Sequence, residues 1–135
     1  EAMMRVGVNS CTDITGFGLL GHLERMATGS NVSLKIHLSS VPVIPGTWQL
    51  LEEGMAPGGT HRNLSSVEKS VEWDSEIPFE AKLLLCDAQT SGGLLISLPH
   101  QKANELITRL EQKEIRASVV GEVFKPQGSP IQVVQ

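Results

Sequence analysis

Thr12-Asp13-Ile14-Thr15-Gly16-Phe17-Gly18-Leu19-Leu20-Gly21-His22-Leu23 opens on polar residues, carries three glycines within six positions and closes on an apolar run. Leu19, Leu20, Leu23, Met26 and Ala27 recur at spacings of three and four, which predicts a helix with one buried face. Gly29 and Ser30-Asn31 predict its stop. Upstream, Val6 and Val8 lead through Asn9, Ser10 and Cys11 toward Asp13, so a short strand delivers the turn. Glu1 to Arg5 reads as the tail of a helix closed by Gly7. Strand, glycine turn and helix in succession point to an α/β chain.

Asp13 is the only acidic residue of the stretch, and two readings of it stand side by side. Asp13 or Thr15 can cap the helix by accepting its orphan N–H bonds. The same donors, at the positive end of the helix dipole, would also receive a phosphate, with Asp13 holding a metal ion against it.

The downstream pattern keeps alternating. Val32 to Leu38 switches strictly between apolar and polar residues, a strand with one buried face and with His37 on the solvent side. Pro42 and Pro45 bracket a turn, Pro45 suiting an early helical position, and Trp48 to Gly54 reads as a short helix. Pro57-Gly58-Gly59-Thr60 reads as a tight, flexible corner that presents His61, Arg62 and Asn63. Between residues 64 and 78, Leu64, Val67 and Val71 fit a helical face, while Val71 to Asp74 fits a strand equally well. Phe79 to Leu85 fits a helix. In Cys86-Asp87-Ala88-Gln89-Thr90-Ser91-Gly92-Gly93-Leu94-Leu95-Ile96-Ser97-Leu98 a polar turn feeds a strand. Asp87, Gln89, Thr90 and Ser91 either line a site or satisfy the backbone of a buried turn. Pro99 opens a helix from His100 to about Lys113, with Ala103, Leu106, Ile107 and Leu110 inward and Glu105 paired to Arg109 outside. Ala117 to Phe124 and Ile131 to Val134 complete the strands. The sum is an α/β (α+β) sandwich, a mixed β-sheet covered by helices, in one domain over residues 1–135.

Composition narrows the function. Eleven basic residues against 15 acidic ones give a net charge of -4 without a Lys/Arg cluster, which argues against a nucleic-acid surface. No apolar run reaches membrane-spanning length and the start lacks signal-peptide form. Cys11 and Cys86 are too few for a disulfide scaffold, in keeping with a reducing cytoplasm. Cys86 has no histidine or basic cluster beside it in sequence to make it a nucleophile. There is no Gly-Lys-Ser/Thr phosphate loop, G-x-G-x-x-G, G-x-S-x-G, His-Glu-x-x-His or CxxC-type zinc set. One acidic residue on a Gly/Thr turn and two further polar glycine turns are too little for chemistry alone. The residues by themselves therefore imply a phosphate- or metal-facing domain that works with a partner domain.

Three motifs extend this reading. Cys-Thr-Asp-Ile-Thr-Gly-Phe-Gly-Leu-Leu-Gly-His-Leu at 11–23, Pro-Gly-Gly-Thr-His-Arg-Asn at 57–63 and Cys-Asp-Ala-Gln-Thr-Ser-Gly-Gly-Leu-Leu at 86–95 resemble the C-terminal domain of the selenophosphate synthetase (selenide, water dikinase) family. The Asp-x-Thr-Gly-x-Gly core is shared more widely in the aminoimidazole ribonucleotide synthetase superfamily. The resemblance implies an enzyme that converts ATP, selenide and water to selenophosphate, AMP and phosphate. It implies that the catalytic Cys or selenocysteine, the Lys and most metal-binding aspartates lie in an N-terminal domain outside this chain, which also makes the dimer contact. No catalytic residue is then expected here. Asp13 matches the aspartate that helps hold Mg²⁺ against the ATP phosphates, and Thr12, Thr15 and Gly16 match its turn. Thr60, Arg62, Asn63, Gln89, Thr90 and Ser91 match motif positions near the interdomain cleft. Expected partners are the N-terminal domain, ATP and selenide, in a cytoplasmic homodimer; the domain alone would be inactive. The alternatives are the same domain of another ATP-dependent synthetase or kinase of the superfamily, and a non-catalytic binding or regulatory module.

Overall fold

Helix α1 (Ala2–Val6) opens the computed structural model, which describes residues 1–135, and Gly7 closes it at φ 79°. Then come β1 (Ser10–Asp13), α2 (Gly18–Ser30), β2 (Ser33–His37), α3 (Thr47–Glu52), α4 (Gly58–Val67) and β3 (Val71–Trp73). They are followed by α5 (Phe79–Leu85), β4 (Leu94–Ser97), α6 (Ala103–Glu111), β5 (Gly121–Phe124) and β6 (Ile131–Val134). No helix is long and apolar enough to cross a membrane.

The strands form two sheets. Four of them lie in the order β3-β6-β2-β5, with β6 parallel to both β3 and β2 and β5 antiparallel to β2. The other two, β1 and β4, make a separate antiparallel ribbon in which Cys11 faces Ile96 and Asp13 faces Leu94. This is the expected mixed sheet covered by helices, with the cover on one face. Leu34, Ile36, Val71, Ile131 and Val133 point into a core that Leu20, Leu23 and Ala27 of α2, Val67 of α4 and Ala81 and Leu85 of α5 complete. The opposite face carries Lys35, paired with Glu122, and a half-buried His37.

Leu95 ties the ribbon to this core, and Ile96 and Leu98 pack with Ala2, Val6 and Leu106 in a smaller cluster under α1 and α6. The far end of the ribbon, with Asp13 and Leu94, is left exposed.

Four local expectations change. Pro57 stands at the N-cap, at φ -60° and ψ 149°, and Gly58-Gly59-Thr60 form the first turn of α4 rather than a flexible corner. Proline's fixed φ is compatible with helix entry, and packing overrides the low helix propensity of glycine. Pro45 precedes α3, whose N-cap is Gly46 at φ 86°. The helix after Pro99 begins as a short 3-10 turn, His100–Lys102, before α6. Residues 117–120 are not strand; β5 starts at Gly121, where a Cβ would lie 2.0 Å from the Lys35 carbonyl oxygen. Only glycine permits that approach of β5 to β2.

Candidate functional site

Asp13 is the last residue of β1, exposed, and its carboxylate makes no hydrogen bond within the chain. The helix after it is not capped by Asp13, Thr12 or Thr15. Phe17 occupies the N-cap with no side-chain bond, and the N–H of Gly18 reaches back to the Thr15 carbonyl at 3.1 Å. The Thr12 hydroxyl donates to the Asp13 carbonyl at 3.2 Å. Thr15 is engaged elsewhere: its N–H lies 3.0 Å and its Oγ1 3.2 Å from Nε2 of His22. The capping reading of Asp13 is thereby removed, and a free carboxylate remains.

The turn is shaped by glycines of two kinds. Gly18 has φ 68°, and a Cβ there would sit 2.5 Å from the Cys86 carbonyl carbon. The chain's own packing demands glycine at that point. At Gly16 the φ is not left-handed and a Cβ would meet nothing within 4 Å. Packing makes no such demand there, and the Cα side of the residue faces open space.

The three motifs converge. Gly92 donates its N–H to the Ile14 carbonyl at 3.1 Å, Ile14 to Gly93 at 2.9 Å, and Gln89 to Thr15 at 3.0 Å, which lays the 86–93 turn along the 13–18 turn. From α4, Asn63 Nδ2 donates to the carbonyl oxygens of Gly16 at 2.8 Å and Cys86 at 3.0 Å, so one amide joins both turns. Thr60, fully buried, donates to Oδ1 of Asp87 at 2.7 Å and lies 3.4 Å from the N–H of Ala88. Thr60 and Asn63 are thus the joints of the site, a role that motif position alone did not assign. Asp87 and Gln89 are half-buried, whereas Arg62, Thr90 and Ser91 are exposed.

The sequence does not mark His22 as a site residue. A helical histidine one residue before an inward leucine carries no signal of what its ring touches. Here the ring packs edge-on to Phe17, centroids 5.8 Å apart, and the Arg25 guanidinium lies 4.4 Å above the Phe17 ring.

Neither cysteine has the environment of a nucleophile. Burial pushes the Cys86 thiol up to about 12. Cys11, exposed on the ribbon, is also raised, first by desolvation and then by the Asp13 carboxylate. No group of three or more His, Cys, Asp or Glu side chains is placed to hold a metal ion. Asp13 offers a single hard oxygen ligand, which suits Mg²⁺ only as one member of a set completed by phosphate oxygens, water and other carboxylates.

Known proteins resemble the chain along nearly its whole length. The family model of the AIR synthase related protein, C-terminal domain, matches residues 1–134. A selenide, water dikinase of Caldanaerobacter subterraneus is 45% identical over 98% of this chain and 39% of its own length. One from Carboxydothermus hydrogenoformans is 40% identical over 95% of this chain and 37% of its own. One from Escherichia coli is 39% identical over 90% of this chain and 34% of its own. The chain spans under two fifths of the length of these curated relatives. With a family model matched across nearly every residue, the chain belongs to the AIR synthase related protein C-terminal domain family.

Proposed function

We propose that this chain is the C-terminal domain of a selenophosphate synthetase, the enzyme that makes selenophosphate, AMP and phosphate from ATP, selenide and water. In this reading Asp13 meets Mg²⁺ and the ATP phosphates in a cleft shared with an N-terminal domain. That domain supplies the nucleophile, the lysine, the remaining metal ligands and the contact of a cytoplasmic homodimer. The observation that carries the reading is the convergence of three separate motifs on a turn whose one carboxylate is exposed and unpaired.

Phosphoryl transfer depends chiefly on positioning and on cancelling phosphate charge. Mg²⁺, when bound, would supply most of the second. The chain's own part is to hold the Asp13 carboxylate in a fixed direction and to leave the Cα side of Gly16 uncovered in the same turn. Leu94, opposite Asp13 and 57% exposed, offers an apolar contact next to the carboxylate for the partner domain to cover.

The test is Asp13→Asn in the full-length protein, with AMP and selenophosphate followed by phosphorus NMR. Turnover falls by about two orders of magnitude or more, while thermal stability stays within about 0.5 kcal/mol, because the carboxylate has no structural bond to lose. Near-normal turnover would overturn the metal role.

A further inference from the structure

We infer that His22 is the positioning residue of the Asp13 turn, acting as a hydrogen-bond acceptor for Thr15; this rests on the reading of Asp13 given above. A backbone N–H can only donate, so the 3.0 Å contact from the Thr15 N–H makes Nε2 of His22 the acceptor. The ring proton then sits on Nδ1, and the 3.2 Å contact with Oγ1 is the Thr15 hydroxyl donating to the same nitrogen.

Asp13 has no side-chain bond of its own, so the direction of its carboxylate is set through the backbone on either side. On the strand side, the pairing with Leu94 and the Ile14 N–H to Gly93 hold it. On the helix side, the Thr15 carbonyl is taken by the N–H groups of Gly18 and Gln89, and the Thr15 N–H by His22. His22 rises from α2, the longest helix of the chain, and Phe17 packs against the ring while Arg25 covers Phe17. The acceptor is therefore mounted on a rigid element and confined by packing. A residue that only filled space here would not need an acceptor nitrogen. One that orients the turn does.

The experiment compares His22→Ala, His22→Gln and Asp13→Asn with wild type in the full-length protein. Amide hydrogen exchange at Thr15 and the Mg²⁺ concentration giving half-maximal activity are both measured. Glutamine carries an acceptor oxygen at the ε position; alanine carries none. His22→Ala speeds exchange at Thr15 and raises the half-maximal Mg²⁺ concentration, each by about fivefold or more, the equivalent of one lost hydrogen bond. His22→Gln stays within about twofold of wild type on both, and it carries the test if the alanine variant fails to fold. Unchanged Thr15 exchange in His22→Ala, or a glutamine variant as impaired as alanine, overturns the inference. If Asp13→Asn retains full activity, the reading of Asp13 has failed; Thr15 exchange then still decides whether His22 holds the turn.

Discussion

Thr60, without exposed surface, gives its hydroxyl proton to Oδ1 of Asp87 at 2.7 Å, joining the first turn of α4 to a turn 27 residues further on. A buried hydroxyl facing a half-buried carboxylate strengthens the bond and makes its loss expensive, because the carboxylate cannot recover full hydration. Thr60→Val, which keeps the shape, should therefore destabilise the chain by about 1.5–3 kcal/mol in urea unfolding. Thr60→Ser loses one buried methyl and keeps the bond, so about 1 kcal/mol is expected. A Thr60→Val variant as stable as wild type, with Thr60→Ser less stable, would assign the stabilisation to packing.

Asn63 gives a test in which charge is opposed to size. Its amide donates to the carbonyls of Gly16 and Cys86. Asn63→Asp has nearly the same volume but sets an acceptor-only carboxylate against two carbonyl oxygens. It should be at least as unstable as Asn63→Ala, which should lose about 1–3 kcal/mol. An aspartate variant of wild-type melting temperature would show that the amide does not join the turns.

Gly18 and Gly16 should respond oppositely to the same methyl group. Gly18→Ala places a Cβ 2.5 Å from the Cys86 carbonyl carbon at φ 68°, so backbone strain and steric overlap act together. The expected loss exceeds about 2 kcal/mol. Gly16→Ala meets open space and should change stability by less than about 1 kcal/mol. A fall in full-length turnover for Gly16→Ala, with the fold intact, would report a ligand at that backbone. Circular dichroism melts and steady-state assays separate the two effects.

The cysteines should differ in reactivity and in pH dependence. At pH 8 an alkylating reagent should modify exposed Cys11 in the native protein and reach Cys86 only on unfolding. The Cys86 thiol is raised from 9.0 to about 12 in the folded chain, so below 9.0 both folded and unfolded states keep the proton and its contribution is constant. Between 9.0 and about 12 the unfolded state loses that proton while the folded state retains it, so stability falls with rising pH. The slope from this group approaches about 1.4 kcal/mol per pH unit, and Cys86→Ala should remove it.

What the sequence made legible was what depends on local period. Leu19, Leu20, Leu23 and Ala27 mark α2, and the alternation of Leu34 and Ile36 with Lys35 and His37 marks β2, because each repeat matches the geometry of its own element. Residues 117–120 look equally strand-like, but Val119 is 56% exposed and the β5 ladder opens only at Gly121. A strand needs a partner as well as propensity. Gly58 and Gly59 misread as a corner for a related reason: the first turn of α4 is held by Thr60 and Asn63 reaching across to other turns, which no local pattern displays. At the site, Asp13 stood out as a lone charge, whereas the tie between His22 and Thr15 could not, because nothing in the spacing fixes which ring nitrogen meets which amide.

The β1–β4 ribbon has a kinetic consequence. Asp13 and Leu94 are about eighty residues apart, and all of α2 through α5 lies in the loop that their pairing closes. Local structure in the glycine turn cannot by itself bring these strands together. The entropy of closing so long a loop must be met by core contacts from the intervening elements. The Asp13 end of the ribbon should consequently be assembled late in folding. Substitutions confined to the ribbon should then speed unfolding more than they slow folding, the pattern expected of a segment unformed in the transition state.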